Sequence, residues 1–127
     1  MLKLKRAYDP PAREDGRRFL VERLWPRGVK KSTLRLDAWL KDVAPSHDLR
    51  KWFSHDPRKW LEFQKRYRSE LTQHPEAWDP IAHAARRGTV TLIYGARDPE
   101  RNSAAVLRDY LKKKLTVKQS QDRKSAA

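Results

Sequence analysis

Cysteine is absent from this chain of 127 residues, glycine occurs only four times, and acidic residues are outnumbered by basic ones. The absence of cysteine excludes disulfides, thiolate nucleophiles and cysteine metal sites. No run approaches the roughly 20 apolar residues that a membrane-spanning helix requires. The first six residues hold no apolar stretch of signal-peptide length. We therefore expect a cytoplasmic protein with no membrane partner.

Several patterns of nucleotide-binding enzymes and hydrolases are also missing. The sequence has no Walker-type glycine loop, no GxGxxG and no GxSxG. Its four histidines include no pair at metal-ligand spacing on one helix face, so we expect neither a metal nor a cofactor. We interpret His55, which precedes Asp56, as a surface or capping residue.

Positive charge is what the chain has in excess. Thirty lysines and arginines against 16 acidic residues give a formal charge of +14 and an isoelectric point near 10.4. Such a field favours anionic partners such as nucleic acid, nucleotides or acidic surfaces, with solubility alone as the alternative explanation. The mean hydropathy is only −0.99, so five tryptophans and three phenylalanines supply much of the apolar area for a modest core.

Three segments have the composition of strands. Residues 2–8 alternate apolar and basic side chains, 18–24 is a short apolar run, and 89–94 is rich in β-branched residues. We predict short helices at 34–40 and, capped by Ser46, at 48–53. A longer helix follows the Asp56-Pro57 pair, the next is interrupted or begins late at Asp79-Pro80, and the last covers 104–115.

Strands separated by helices predict an α/β fold, with a small, mainly parallel sheet of few strands packed by helices in a layered α/β sandwich. The strands at 18–24 and 89–94 are too far apart in the chain for a hairpin, so we expect a parallel pairing with a helical crossover. The predicted domain spans 1–117. A basic tail at 118–127 without apolar periodicity is expected to be disordered.

The residues with binding chemistry gather at the predicted strand ends. In open α/β sheets, ligands bind beyond the carboxyl ends of the strands, and three such ends share one rim if the strands are parallel neighbours. The predicted ligand-binding residues are Arg6, Tyr8, Arg23, Trp25, Arg27, Gly28, Tyr94, Arg97 and Asn102. The candidates for proton transfer are Asp9 and Asp98.

Arginines beside a helix N-terminus predict an anionic ligand, because both bind phosphate or carboxylate through N–H groups. The corner formed by Pro26 and Gly28 holds Arg27 rigidly, so a functional role is favoured there. Structural roles compete at other positions. Asp98-Pro99 is a strong helix-capping signal, Arg23 can pair with Glu22 or Asp9, and Trp25 has the size of a core residue.

Two basic clusters support an alternative function. Lys112, Lys113 and Lys114 begin a positive C-terminal arm, and residues 50–53 interleave charge with aromatics, as surfaces that bind single-stranded nucleic acid do. The aromatics at 52 and 53 also suit a core helix, and we favour the core role for them. The alternative is therefore a non-catalytic nucleic-acid-binding module that uses the basic surface and the C-terminal arm.

Longer motifs resemble those of a known family. The runs VERLWPRG at 21–28, APS at 44–46, LRKWF at 49–53, HD at 55–56 and VTLIY at 90–94, with Trp39, resemble the YeaO-like family of uncharacterised small α/β proteins, domain of unknown function 488. The resemblance covers about residues 4–115 and implies no established activity. Glu22 stands where that family usually has aspartate, and Arg101 where it usually has histidine. The second departure argues against a mechanism that needs a histidine base there.

The sequence thus predicts a YeaO-like protein that binds a phosphate-bearing ligand, either a nucleotide or a nucleic-acid-derived molecule. The predicted site is lined by arginine and lies at the carboxyl ends of the strands. These residues predict a site and its anionic ligand, and they identify no reaction.

Overall fold

The structure, a computed structural model, describes the backbone of residues 1–126 and the side chains of residues 1–116. Four strands form one parallel sheet in the order β1-β4-β2-β3. They are β1 (Leu2–Arg6), β2 (Arg17–Leu20), β3 (Ala38–Trp39) and β4 (Val90–Tyr94). The predicted α/β fold with a parallel sheet is confirmed, although β1 and β2 end earlier than expected.

Five helices connect and cover the strands. They are α1 (Lys31–Leu34), α2 (His47–Phe53), α3 (Trp60–Gln73), α4 (Pro75–Arg87) and α5 (Ser103–Ala126). Three short 3-10 helices occupy Arg13–Asp15, Lys41–Val43 and Pro57–Lys59. The tail expected at 118–127 lies outside the residues whose side chains are described, and that expectation stays a prediction. None of the described helices is both long and apolar enough to cross a bilayer.

β4 is the centre of the sheet and all five of its residues are buried. It pairs with β1 from Val90 opposite Leu2 to Tyr94 opposite Arg6, and it pairs with β2 on its other side. Because successive strand residues point to opposite faces, β4 contributes to two apolar clusters. The larger cluster includes Leu92 and the apolar faces of α3, α4 and α5, and the smaller one includes Ile93.

Capping signals located several helix starts correctly. The Ser46 hydroxyl accepts the Leu49 N–H (3.2 Å) at the start of α2, as predicted. The Asp56 carboxylate accepts the Arg58 N–H (3.0 Å) at the start of the 3-10 turn that leads into α3. These predictions are confirmed because a cap depends on residues within one turn of each other.

The helix predicted at 34–40 is wrong. Helix α1 ends at Leu34, Arg35 adopts a left-handed conformation (φ 48°), and the chain then joins the sheet edge as β3. The Trp39 indole N–H donates to the Glu22 carbonyl (2.6 Å), which ties this segment to the chain that follows β2. Tertiary pairing therefore overrides the helical spacing of the apolar residues.

The late start predicted for α4 is also wrong, because the helix begins at Pro75 and Pro80 lies inside it. Proline at this position removes the hydrogen bond to the carbonyl of Glu76. Both residues are exposed, so water can solvate that carbonyl. The apolar face with Ile81 packs into the core, and this packing stabilises the helix despite the proline.

A buried ion pair links the start of β2 to its surroundings. The Asp15 carboxylate accepts hydrogen bonds from the Arg18 guanidinium (2.5 Å) and the Ala12 N–H (2.9 Å), and it pairs with the Lys5 ammonium (2.8 Å). Arg18 also donates to the carbonyl of Leu34 (2.8 Å) at the end of α1. Burial raises the pKa of Asp15, but these hydrogen bonds and charges outweigh burial and hold that pKa below its ordinary value.

We expect Asp15→Asn to lower the free energy of unfolding at pH 7 by about 3 kcal/mol, because it leaves the buried Arg18 charge uncompensated. The folded-state pKa of Asp15 lies below 3.8, so its stabilisation is present above that pH and lost as the pH falls through the folded value. Urea unfolding at pH 7, 5 and 3 should show the gap between wild type and variant closing in acid. A gap that stays constant would contradict this assignment.

Gly16 provides a second test of the β2 start. Its φ is +63°, and a Cβ there would collide with the Thr89 carbonyl, which accepts the Arg17 N–H (3.0 Å). We expect Gly16→Ala to lower the free energy of unfolding by about 3 kcal/mol. Gly28→Ala is the matched control, since its φ is +78° with open space around the added carbon, and it should cost only about 1 kcal/mol of backbone strain. Equal losses in urea titrations would refute the collision.

Candidate ligand-binding cleft

A cleft of about 560 Å³ opens at the carboxyl ends of β1, β4 and β2. The parallel order of these strands brings together the loops that follow them, as expected. Helix α2, the start of α3 and the start of α5 complete the walls. The polar lining residues are Tyr8, Glu22, Arg27, Arg50, His55, Arg101 and Ser103, and the larger apolar ones are Leu24, Pro26, Pro45, Phe53 and Phe63.

Glu22 is the acidic residue in this lining. Glu22 lies two residues after the end of β2, which pairs with β4. Its carboxylate accepts the N–H of Gly95 (3.1 Å), the first residue after β4. Burial raises the pKa of Glu22, and the Gly95 N–H and the charges of Arg50 and His55 offset only part of this effect. A carboxylate that is costly to ionise therefore lies in a cleft lined by cations.

Three arginines reach the cleft from separate parts of the chain. Arg27 follows β2, Arg50 belongs to α2, and Arg101 precedes α5. Arg27 and Arg101 are exposed, whereas Arg50 is half-buried. No carboxylate lies within ion-pair distance of these three side chains among residues 1–116.

His55 lines the cleft from a turn with left-handed backbone angles. Ser54 and His55 are successive non-glycine residues in the left-handed region, with φ values of 46° and 56°. Each such residue costs of the order of 1–2 kcal/mol, and strain of this kind is concentrated at functional sites. The Ser54 N–H closes α2 on the Arg50 carbonyl (2.9 Å), and the His55 ring lies 5.9 Å from that of Phe53.

The start of α5 also faces the cleft. Asn102 caps this helix, because its side-chain oxygen accepts the Ala105 N–H (2.9 Å) and its amide donates to the Asp98 carbonyl (2.9 Å). Asn102 is buried, whereas Ser103 in the first helical turn lines the cleft. The positive end of the helix dipole is therefore directed at this space.

The structure brings some of the predicted site residues together. Tyr8 and Arg27 both line the cleft, and the Tyr8 hydroxyl donates to the Arg27 carbonyl (3.1 Å). Arg6 lies behind them, with its guanidinium 5.0 Å from the centre of the Tyr8 ring and a hydrogen bond to the Ala96 carbonyl (3.0 Å). Gly28 supplies the left-handed turn of the corner.

Two other predicted residues make structural contacts and do not line the cleft themselves. Arg23 donates to the carbonyls of Pro45 (2.7 Å) and Ala44 (3.2 Å), which holds the loop before α2. The Trp25 indole donates to the Val29 carbonyl (2.6 Å), and its ring packs edge-on against Trp39 in the smaller apolar cluster.

The remaining predicted residues are Tyr94, Arg97, Asn102, Asp9 and Asp98, and none of them is part of the cleft lining. Tyr94 is buried, and burial raises the pKa of its hydroxyl. The Asp98 carboxylate accepts the N–H groups of Glu100 (2.9 Å) and Arg101 (3.1 Å), and these bonds lower its pKa. Asp98 thus shapes the turn before α5, where the helix cap itself is Asn102.

Comparison with known sequences identifies the family of this chain. The family DUF488-N3i, described as the inactive DUF488-N3 subclade, matches residues 1–127. The chain belongs to this family. It is 42% identical over 111 residues to the uncharacterised protein YeaO of Escherichia coli strain K12, covering 87% of this chain and 96% of that protein. It is 38% identical over 110 residues to the uncharacterised protein Rv3073c of Mycobacterium tuberculosis strain H37Rv, covering 87% and 92%.

No solved structure matches the chain. The resemblance to the YeaO-like family is confirmed by these relatives. In this DUF488-N3i protein, the motif at 21–28 supplies Glu22 and Arg27 to the cleft, and the motifs at 49–53 and 55–56 supply Arg50, Phe53 and His55.

The sequence-based site omitted Glu22, Arg50, His55, Arg101 and Ser103, which all line the cleft. The sequence predicts a core role for the aromatics of α2, with a nucleic-acid-binding surface as the alternative, because nothing in its own sequence shows that it packs beside the strand ends. The available signal was the family motif that contains Arg50 and His55. The two left-handed residues that end α2 give no recognisable pattern, since neither is glycine.

Glu22 allows a test of the cleft electrostatics. Its folded-state pKa lies above 4.5, so ionising it costs stability as the pH rises from 4.5 through the folded value. Glu22→Gln removes the charge and keeps an oxygen for the Gly95 N–H. We expect the variant to melt at a higher temperature than wild type at pH 7 and at the same temperature below pH 4.5, measured by calorimetry. A wild type that is the more stable form at pH 7 would contradict this account.

Proposed function

We propose that this protein binds a phosphate-bearing small molecule of the nucleotide class in the cleft and does not convert it. The observation that supports the proposal most is the convergence of Arg27, Arg50 and Arg101 with the first turn of α5 around one cleft. Guanidinium groups and helix N-terminal N–H groups are the two common protein partners of phosphate oxygens.

The phosphate group fits the side of the cleft formed by the start of α5. Arg101 lies directly before the capping residue Asn102, and the Asp98 carboxylate fixes the turn by accepting two backbone N–H groups. Ser103 adds a hydroxyl and a backbone N–H in the first turn. An anion bound there would be attracted by the positive end of the helix dipole and would contact at least one guanidinium, without any rearrangement of the turn.

The rest of the cleft suits an organic group larger than phosphate. The Phe53 and Phe63 rings stack at 4.3 Å and form an apolar wall, and Leu24 at the rim is 68% exposed. Glu22 adds a carboxylate that accepts hydrogen bonds. An apolar wall beside an acceptor is complementary to a nucleobase with amino or imino N–H groups. A volume of about 560 Å³ lies within the range of small-molecule sites.

Binding without turnover is supported by three observations. The family is described as an inactive subclade. The two aspartates considered for proton transfer, Asp9 and Asp98, are exposed and lie outside the cleft lining. Arginine occupies position 101, where the YeaO-like pattern usually has histidine, and a guanidinium stays protonated and serves to hold charge.

The proposal predicts that nucleoside phosphates stabilise the protein in a thermal-shift screen and that the corresponding nucleosides do so less. Arg101→Ala should weaken binding at least about tenfold by calorimetry, since a charged hydrogen bond contributes about 1.5–3 kcal/mol. Chromatography of the recovered nucleotide should show it intact.

Arg97→Ala is the matched control for this measurement. It removes the same charge from the same loop, at an exposed residue that does not line the cleft. It should leave affinity within about twofold, because an exposed charge that does not line the cleft is largely screened at physiological salt. Equal weakening by the two variants, or no stabilisation by any phosphate-bearing compound, would refute the cleft as the site.

A further inference from the structure

A second concavity lies between α3 and α5 and shares no residue with the cleft. This groove of about 370 Å³ is lined by Arg68, Thr72, Asp109, Tyr110, Lys113 and Lys114. Its α5 residues lie six to eleven positions after Ser103, which corresponds to roughly 9–17 Å along the helix axis. The two concavities are therefore at different places along one helix.

We propose that this groove binds the phosphate backbone of a nucleic-acid strand without reading its sequence. The proposal depends on three features of the groove, namely cations with no carboxylate partner among residues 1–116, a buried aromatic floor, and a lining without any large, exposed apolar side chain. It does not rest on the ligand proposed for the cleft.

The cations of the groove lack acidic partners. Within residues 1–116, no carboxylate lies within ion-pair distance of Arg68, Lys113 or Lys114. The one acidic residue in the lining, Asp109, accepts a hydrogen bond from the guanidinium of Arg108 (3.1 Å). The groove therefore keeps an uncompensated positive charge.

On another face of α3, the arginine is paired, in contrast to the cations of the groove. Arg66 pairs there with Glu62 one turn earlier (3.3 Å), and its guanidinium also lies 4.1 Å from the centre of the Trp52 ring. Its charge is therefore largely engaged within the protein. This contrast distinguishes the groove from the ordinary charged surface of a helix.

The floor of the groove is the aromatic ring of Tyr110, which other side chains cover. The hydroxyl groups of Tyr110 and Thr72 lie 3.0 Å apart, and the Tyr110 ring packs edge-on against Trp78. Lys114 lies over the same ring, with its ammonium 5.4 Å from the centre. Tyr110 is only 8% exposed, so it offers no open face on which a base can stack. Recognition is therefore through phosphate, which is independent of sequence.

The form of the groove favours a linear polyanion over a lipid surface. Peripheral membrane sites combine basic residues with exposed apolar side chains that enter the bilayer. The exposed large apolar residues among those described are Met1, Tyr8, Leu24 and Leu61, and none of them lines the groove. Lys65 precedes Arg68 by one turn of α3, which extends the line of cations, and the charge of +14 adds long-range attraction.

The test uses the full-length protein and a labelled, mixed-sequence DNA strand of about 20 nucleotides, followed by fluorescence anisotropy. The groove variant combines Arg68→Glu, Lys113→Glu and Lys114→Glu. Its control combines Arg13→Glu, Lys30→Glu and Lys31→Glu, which changes the net charge equally at exposed residues outside the groove.

We expect wild type to bind at about 50 mM salt and to weaken steeply towards 200 mM. The groove variant should bind at least about 100-fold more weakly. Its plot of log affinity against log salt should also be less steep, by about 2, because each of the three lost phosphate contacts contributes roughly 0.7 to the slope. The control should lose less than about fivefold. Circular dichroism verifies folding, and the milder pair Lys113→Gln and Lys114→Gln should weaken binding in the same direction.

Three results would overturn the proposal: no binding by wild type at low salt, equal losses in the groove and control variants, or tighter binding of acidic vesicles or an acidic peptide than of DNA. Arg101→Ala serves as the internal comparison. It should leave DNA affinity unchanged, and the groove variant should still bind nucleoside phosphates in the cleft. Each proposal can therefore be refuted without affecting the other.

Discussion

β4 pairs in parallel with β1 on one side and with β2 on the other, and all of its residues are buried. Because the three strands run in the same direction, the segments that follow them emerge at one edge of the sheet. The Gly95 N–H and the Glu22 carboxylate meet there across the ends of β4 and β2. The cleft is thus a consequence of strand topology, and the loops determine only which side chains line it.

Five arginines of this protein fall into two classes, according to whether their N–H groups contact the protein or open space. Arg18 and Arg23 direct their N–H groups to backbone carbonyls that would otherwise lie unpaired, and both stabilise the fold. Arg27, Arg50 and Arg101 line open space instead. Sequence position does not separate the two classes, since Arg23 and Arg27 are four residues apart. The difference is whether a carbonyl lies within reach of the guanidinium.

Helix α5 connects the two anion-binding surfaces that we propose. Its first turn faces the cleft, and its Lys113 and Lys114 line the groove against α3. If both proposals hold, one helix supplies a dipole to a small ligand and side-chain charge to a polymer.

Local signals determined much of the fold. The caps at Ser46 and Asp56, the β-branched strand at 90–94 and the parallel arrangement of the strands were predictable because each depends on neighbouring residues or on chain length between strands. Tertiary structure alone decided that Ala38–Trp39 would complete the sheet edge as β3, that α4 would pass through Pro80, and that Arg50 and His55 would face the cleft while Arg23 would not. These outcomes depend on contacts between segments far apart in the chain, such as the Trp39 indole on the Glu22 carbonyl, which no local pattern encodes.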